Sequence, residues 1–329
     1  MVKTRFPLLV AASVQGSFLL FGCTPTLVDE RAIVTESRVL AVRVSPPEAR
    51  AGDSVTIDAL VAGPSGTESP SLFWAFCHAR KPLAELGPVN RACLDPSSTG
   101  VLPLGSSTSV AMALPADGCQ YFGPEVPAPK PGEPLGRPAD PDSTGGYYQP
   151  ILAALQTPTN VDRTLGSARL SCGLAGAAPD DLVAYRLRYR ANVHPAVSGL
   201  LVNGANADLS QPVTVHAQRG ASMTVAVVWP ACGDASKASD SGCAGAEPYV
   251  AFDADSRRVV DRRESMHVAW ASTAGTFESA TTGRGSNERD TTSSNTFTAP
   301  STAGTVHAWV VVRDDRGGVG WLAYDVVVD

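Results

Sequence analysis

A mainly β protein in two sandwich modules is what the sequence predicts, and three observations predict it. Short runs alternate apolar and polar residues with a period of two, which places one face of each run in a core. The runs are punctuated by turns drawn from 30 Gly and 26 Pro, more than long helices tolerate. Only one stretch carries the signals of a helix. The 329 residues suit about two domains of ~100–200 residues each. With 43% hydrophobic and 18% charged residues, the chain can bury a real core beneath a weakly charged surface.

Taken in order, the first module spans 38–178. Arg38–Val44 (RVLAVRV) reads as a strand stopped by Pro46 and Pro47. Ser54–Val61 alternates, with Val55, Ile57, Ala59 and Val61 on one face, after a turn at Ala51-Gly52-Asp53. Ser71–Cys77 (SLFWAFC) is a third strand, with Trp74 as core anchor. Residues 94–148 hold prolines at 96, 103, 115, 124, 127, 129, 131, 134, 138 and 141. Such a run does not keep ladder hydrogen bonds, so a long Pro-rich loop excursion is expected, pinned by Cys119. Tyr147–Leu155 and Thr164–Cys172 return to the sheet.

Residues 179–195 are expected to be a connecting helix. Pro179 opens it, Asp180 and Asp181 fill its first turn, and Arg186, Arg188 and Arg190 follow, in the order that suits the helix dipole. The second module, 196–329, shows strand signals at 197–202, 211–217, 221–229, 248–252, 264–271, 295–299, 304–313 and 319–328. Met266, Val268 and Trp270 alternate, as do Val306, Ala308, Val310 and Val312, and Trp270 and Trp309 are expected in or beside the core. About eight short strands at this spacing argue for an Ig-like sandwich.

The N-terminus reads as an export signal. Lys3 and Arg5 make a positive start, Phe6–Phe21 is mostly apolar, and Leu20-Phe21-Gly22-Cys23 follows. The apolar stretch is short for a spanning helix, which needs ~20 residues, so residues 1–22 are expected to be a signal peptide. The last four residues resemble the lipobox of bacterial lipoproteins. That resemblance implies cleavage before Cys23, lipidation of its thiol with a palmitate-type anchor, and a tether over 23–37. Thr24 follows the cysteine rather than Asp, which favours the outer membrane. Losing Lys3 and Arg5 takes the net charge from −6 to −8, and a chain so acidic as a whole is a poor partner for nucleic acid or an anionic membrane surface.

With Cys23 set aside, six cysteines remain: Cys77, Cys93, Cys119, Cys172, Cys232 and Cys243. An even number in an oxidising compartment reads as disulfides. Six allow 15 pairings, of which proximity favours Cys77–Cys93 and Cys232–Cys243, leaving Cys119–Cys172. No CxxC and no His at ligand spacing point to zinc. The 232–243 bridge is expected to fix where 247–252 enters the sheet.

Chemistry-bearing motifs are absent: no GxSxG, HExxH, P-loop or GxGxxG. His78, His194, His216, His267 and His307 are scattered. Asp253, Asp255, Asp314 and Asp315 could donate oxygens to calcium, against a plainer reading as solvated turns. Arg257-Arg258 and Arg262-Arg263 flank Asp261; they read as a solvated hairpin, with a docking site for an anionic ligand as the alternative.

Finally, Trp270-Ala-Ser-Thr-Ala-Gly-Thr-Phe277, Asn295-Thr-Phe-Thr-Ala-Pro300 and Val310-Val-Val-Arg-Asp-Asp-Arg-Gly-Gly318 are similar to PKD-like and other Ig-like modules of bacterial surface proteins. With the lipobox and the opening VLAVRVSPPEARAGDSVT, the chain resembles predicted lipoproteins of myxobacteria built from such modules. The resemblance implies location and fold, and no particular ligand. The expectation is therefore a lipid-anchored envelope scaffold or binding module, not an enzyme, with no cofactor and an envelope protein or glycan as partner. The alternative is an envelope hydrolase whose site is assembled in space.

Overall fold

The computed structural model describes residues 32–79, 89–123, 131, 146–174, 177–233, 242–253 and 255–329. The expected signal peptide (1–22), Cys23 and most of the expected tether lie outside the described residues, as do most of the prolines of the excursion. Two Ig-like β-sandwiches stand side by side. In the first, the strands are β1 (Arg38–Ser45), β2 (Glu48–Ala49), β3 (Ser54–Gly63), β4 (Gly66–Glu68), β5 (Leu72–Cys77), β6 (Val101–Ser107), β7 (Ser109–Ala113), β8 (Tyr147–Gln156) and β9 (Val161–Leu170), with a 3-10 turn at Arg91–Leu94 and one α-helical turn, α1 (Gly118–Tyr121). After helix α2 (Pro179–Arg188) come β10 (Gly199–Val202), β11 (Ala205–Asn206), β12 (Val213–Ala217), β13 (Ser222–Val228), β14 (Pro248–Asp253), β15 (Arg258–Arg263), β16 (Met266–Ser272), β17 (Thr276–Phe277), β18 (Thr281–Arg284), β19 (Thr292–Thr298), β20 (Gly304–Asp314) and β21 (Val319–Val328).

The two sandwiches share a topology. In each, the first strand pairs antiparallel in one sheet, β1 on β3 and β10 on β13. The chain then crosses and runs parallel to the last strand of the other sheet, β2 on β9 and β12 on β21. The second sheets have matching orders, β2-β9-β8-β5-β6 and β12-β21-β20-β16-β18. The first core holds Val42, Val55, Ile57, Trp74, Phe76, Ile151 and Leu155, and the second holds Val225, Trp270, Phe277, Phe297, Val310 and Val326. Trp74 and Trp270 also satisfy their indole N–H groups, on Ser107 O at 3.0 Å and Thr282 Oγ1 at 2.9 Å. The three disulfides are Cys77–Cys93, Cys119–Cys172 and Cys232–Cys243.

Five expectations are corrected. The Pro-rich excursion is not loop throughout: residues 101–113 form β6 and β7, one on each sheet. Proline is tolerated because β6 is an edge strand and Pro103 sits beside a bulge, opposite Ala75. The helix stops at Arg188, where Tyr189 turns extended, and 189–195 run without helix. The end of the tether is part of the fold: Ala32 and Val34 are buried, and their backbones bond Ser272 at 2.9 and 2.8 Å. Trp309 packs between the modules rather than in the second core. Period-two geometry puts it on the opposite face of β20 from Val310. Segment 248–253 joins neither sandwich; it pairs with β15 as a separate hairpin.

Candidate functional site

A buried polar cluster lies where the two modules and their connector meet. Its floor is apolar. Ala41, Leu60 and Ala62, on the outer face of β1 and β3, pack on Ala271, Trp309, Val311 and Val319 of the second module, with Val34 between them. A bulge between Val39 and Ala41 leaves the carbonyl of Leu40 out of the ladder, and Arg313 Nη2 donates to it at 2.7 Å. Trp309 Nε1 donates to Thr67 Oγ1 at 2.9 Å, and the Arg43 guanidinium lies 4.1 Å over the Trp321 ring.

Two fully buried arginines hold the polar part. Arg316 donates from Nε to Glu264 Oε1 at 2.6 Å, from Nη2 to Glu247 Oε2 at 2.5 Å and from Nη1 to the carbonyl of Arg190 at 3.0 Å, and it lies over the Tyr249 ring. Arg169 faces Glu48 at 3.3 Å and donates to Tyr148 Oη at 2.7 Å. Glu48 also accepts from Tyr189 Oη at 2.5 Å and from the Asn192 amide at 3.0 Å. Asn192 Nδ2 reaches Asp314, which also accepts the amides of Arg316 and Gly318. Gly317 adopts φ +96°, and a Cβ there would stand 3.3 Å from the Tyr148 ring. The connector thus threads between one arginine from each module.

Around Arg316, two carboxylates (Glu247 and Glu264) meet a single guanidinium, and a third, Asp314, accepts the backbone amide of Arg316. Burying the surplus negative charge is costly, and that cost raises the affinity of these groups for protons. Burial pushes Glu247 up to about 7 against the pull of Arg316, and raises Glu264 and Asp314 for the same reason. His194, on the connector, goes the other way: burial, with Arg43 nearby, lowers it to about 4. Val319 N–H donates to its Nδ1 at 3.1 Å, so the neutral ring keeps its proton on Nε2, which faces Ser45 Oγ at 3.2 Å.

The calcium candidates separate. Asp253 caps its own turn through the amides of Asp255 and Ser256, and Asp314 belongs to the seam. Asp315 accepts from the Ser265 amide and hydroxyl. Among the described residues, no three His, Cys, Asp or Glu gather as a metal site. The histidines do not converge either: His78 stacks on Tyr121, His216 lies near Asp329, and His307 bonds Asp325 at 2.7 Å. An open polar cleft is lined by Glu36, Arg38, Thr157, Asn160 and Asp162 and holds no histidine. The hairpin with Arg257, Arg258, Arg262 and Arg263 is β14–β15, and helix α2 packs on it, tied by an Arg188–Asp261 ion pair. The charged part of the seam was missed in the sequence because its members come from six separate segments.

No protein-family model and no curated protein matches the chain. Among solved structures, the fibronectin(III)-like modules of CbhA from Clostridium thermocellum align over 88% of this chain and 94% of their own, at 10% identity and a TM-score of 0.21. The adhesin InvE of Yersinia pseudotuberculosis aligns over 90% and 60%, at 10% identity and 0.22. A nucleoside hydrolase-related protein from Saccharophagus degradans aligns over 42% and 26%, at 16% identity and 0.23. The chain spans about a quarter of that last protein. Likeness at this level carries no function across. The class is defined by the architecture itself: a two-module Ig-like β-sandwich protein with a buried, charged seam.

Proposed function

We propose that the protein is a lipid-anchored component of the cell envelope that works as a rigid scaffold or binding module, not as an enzyme. The observation that carries the reading is the seam, which packs the two sandwiches against each other and leaves their loops at fixed positions. The lipobox-like Leu20–Cys23 and the three disulfides fit an exported chain. Acylation at Cys23 would hold Ala32, where the described fold begins, within roughly 30 Å of the bilayer, the reach of an extended chain of that length. An envelope protein or a glycan is the partner such loops suit.

Labelling with palmitate tests the anchor. The wild-type chain is expected to take up label and to fractionate with membranes. Cys23→Ala is expected to do neither. A Cys23→Ala chain that still takes up label overturns the reading.

A further inference from the structure

Residues 32–36 lead into the first sandwich, yet their backbone partner is in the second. Ser272, the last residue of β16, donates its N–H to Ala32 O at 2.9 Å and accepts the Val34 N–H at 2.8 Å, with Ile33 between them in an isolated parallel bridge. Val34 is 1% exposed and enters the apolar floor, which Ala41, Leu60 and Ala62 form from one module and Ala271, Trp309 and Val311 from the other. Glu36 then accepts from Thr159 Oγ1 at 3.0 Å, in the turn between β8 and β9. The segment therefore lies across both modules. Its hold is slight beside that of the strand it leads into: β1 meets β3 through seven residue pairs, whereas residues 32–36 meet β16 through the one bridge among the described residues. Ser272 weakens that hold further. Its Oγ is buried with no hydrogen-bond partner among the described residues, and such a hydroxyl favours any state in which water reaches it.

We propose that residues 32–36 are a strap that locks the seam, and that a pull on the N-terminus releases it before either sandwich yields. Chain order carries the argument. Tension applied ahead of residue 32 reaches the Ser272 bridge first and β1 only afterwards. Elements with few buried contacts open before the ladders of a core do. Release withdraws Val34 from the floor and admits water to Ala271 and Ser272. The Trp309–Thr67 and Arg313–Leu40 hydrogen bonds stay, so the modules loosen without separating. The source of the pull rests on the lipid-anchor reading: an N-terminus held in a bilayer comes under tension whenever a partner drags on the loops. The body is then rigid when unloaded and yields at the strap under load.

The test uses unlipidated chain beginning at Thr24, which contains the whole described fold, so its outcome is independent of palmitate labelling. Ala271→Cys places a thiol in the floor beside Ser272, and Ala153→Cys places one in the first core, where Ala153 is fully buried. Both are expected to resist maleimide. With Val34→Asp added, Ala271→Cys should react faster by about tenfold or more, while Ala153→Cys stays protected. Val34→Ala, which keeps the backbone bonds, should raise the same rate by less. In optical-tweezers pulling between residues 24 and 329, the first event should be a gain of roughly 20 Å or less, the length of about six extended residues. Val34→Asp should abolish that event. An Ala271→Cys rate that neither Val34 variant changes overturns the lock. So does a parallel rise at Ala153→Cys, which would make Val34 a support of the whole fold. A pulling trace whose first event is the unfolding of a module overturns the release.

Discussion

Arg316 is completely buried and is shared by Glu247 and Glu264. Removing one partner from such a set leaves uncompensated charge in the interior, so Arg316→Ala is expected to cost ~3–5 kcal/mol in urea unfolding. A loss below ~1 kcal/mol would show that the carboxylates find water or protons without strain. The same residues set a pH dependence. A carboxylate whose folded pKa lies above its unfolded value contributes stability that is present below the unfolded value and lost as pH rises through the folded one. For Glu247 that window runs from 4.5 to about 7. His194, lowered from 6.5 to about 4, opposes it at lower pH, because its contribution disappears as pH falls. Above pH 6.5 the histidine contributes its full stabilisation while Glu247 still titrates, so the melting temperature is expected to fall from there to about pH 8. Glu247→Gln should flatten that fall, and a wild-type rise over the same interval would contradict the assignment.

Among the elements, the Cys232–Cys243 bridge is the one whose role separates most cleanly from packing. It closes a loop of sequence separation 11 just before β14 and so anchors the base of the β14–β15 hairpin. Replacing both cysteines by Ser is expected to cost ~2–3 kcal/mol in the chain-entropy picture. Peptide mapping of the non-reduced protein should show the cross-linked pair, and free thiols at both positions would refute it. Elements with a strong period were legible in the sequence: β3, β16 and β20 lie where their alternation placed them. Those missed were short, polar or at edges. Pro103 hid β6, and β17 and β18 carry too few apolar residues to show a period. The β10–β11 hairpin was missed as well, although Asn203-Gly204, both at positive φ in its two-residue turn, is the residue pair such turns favour.

On the scale of the molecule, the seam was half-legible. Alternation at Val306, Ala308, Val310 and Val312 marked one buried face of β20. Trp309 and Val311 between them make the run continuously apolar, the mark of a strand covered on both sides. Ala41, Leu60 and Ala62 carry the same message in the first module. What covered those second faces was not readable, because the contact joins residues as far apart as Thr67 and Trp309. The buried ion pairs were illegible for the same reason: nothing local distinguishes Glu48 or Arg169 from surface residues. The account rests on the two sandwiches behaving as one body, and differential scanning calorimetry of the chain from Thr24 measures that directly. A single cooperative transition is predicted, with calorimetric and van't Hoff enthalpies in agreement. Two separable transitions, one per module, would contradict it.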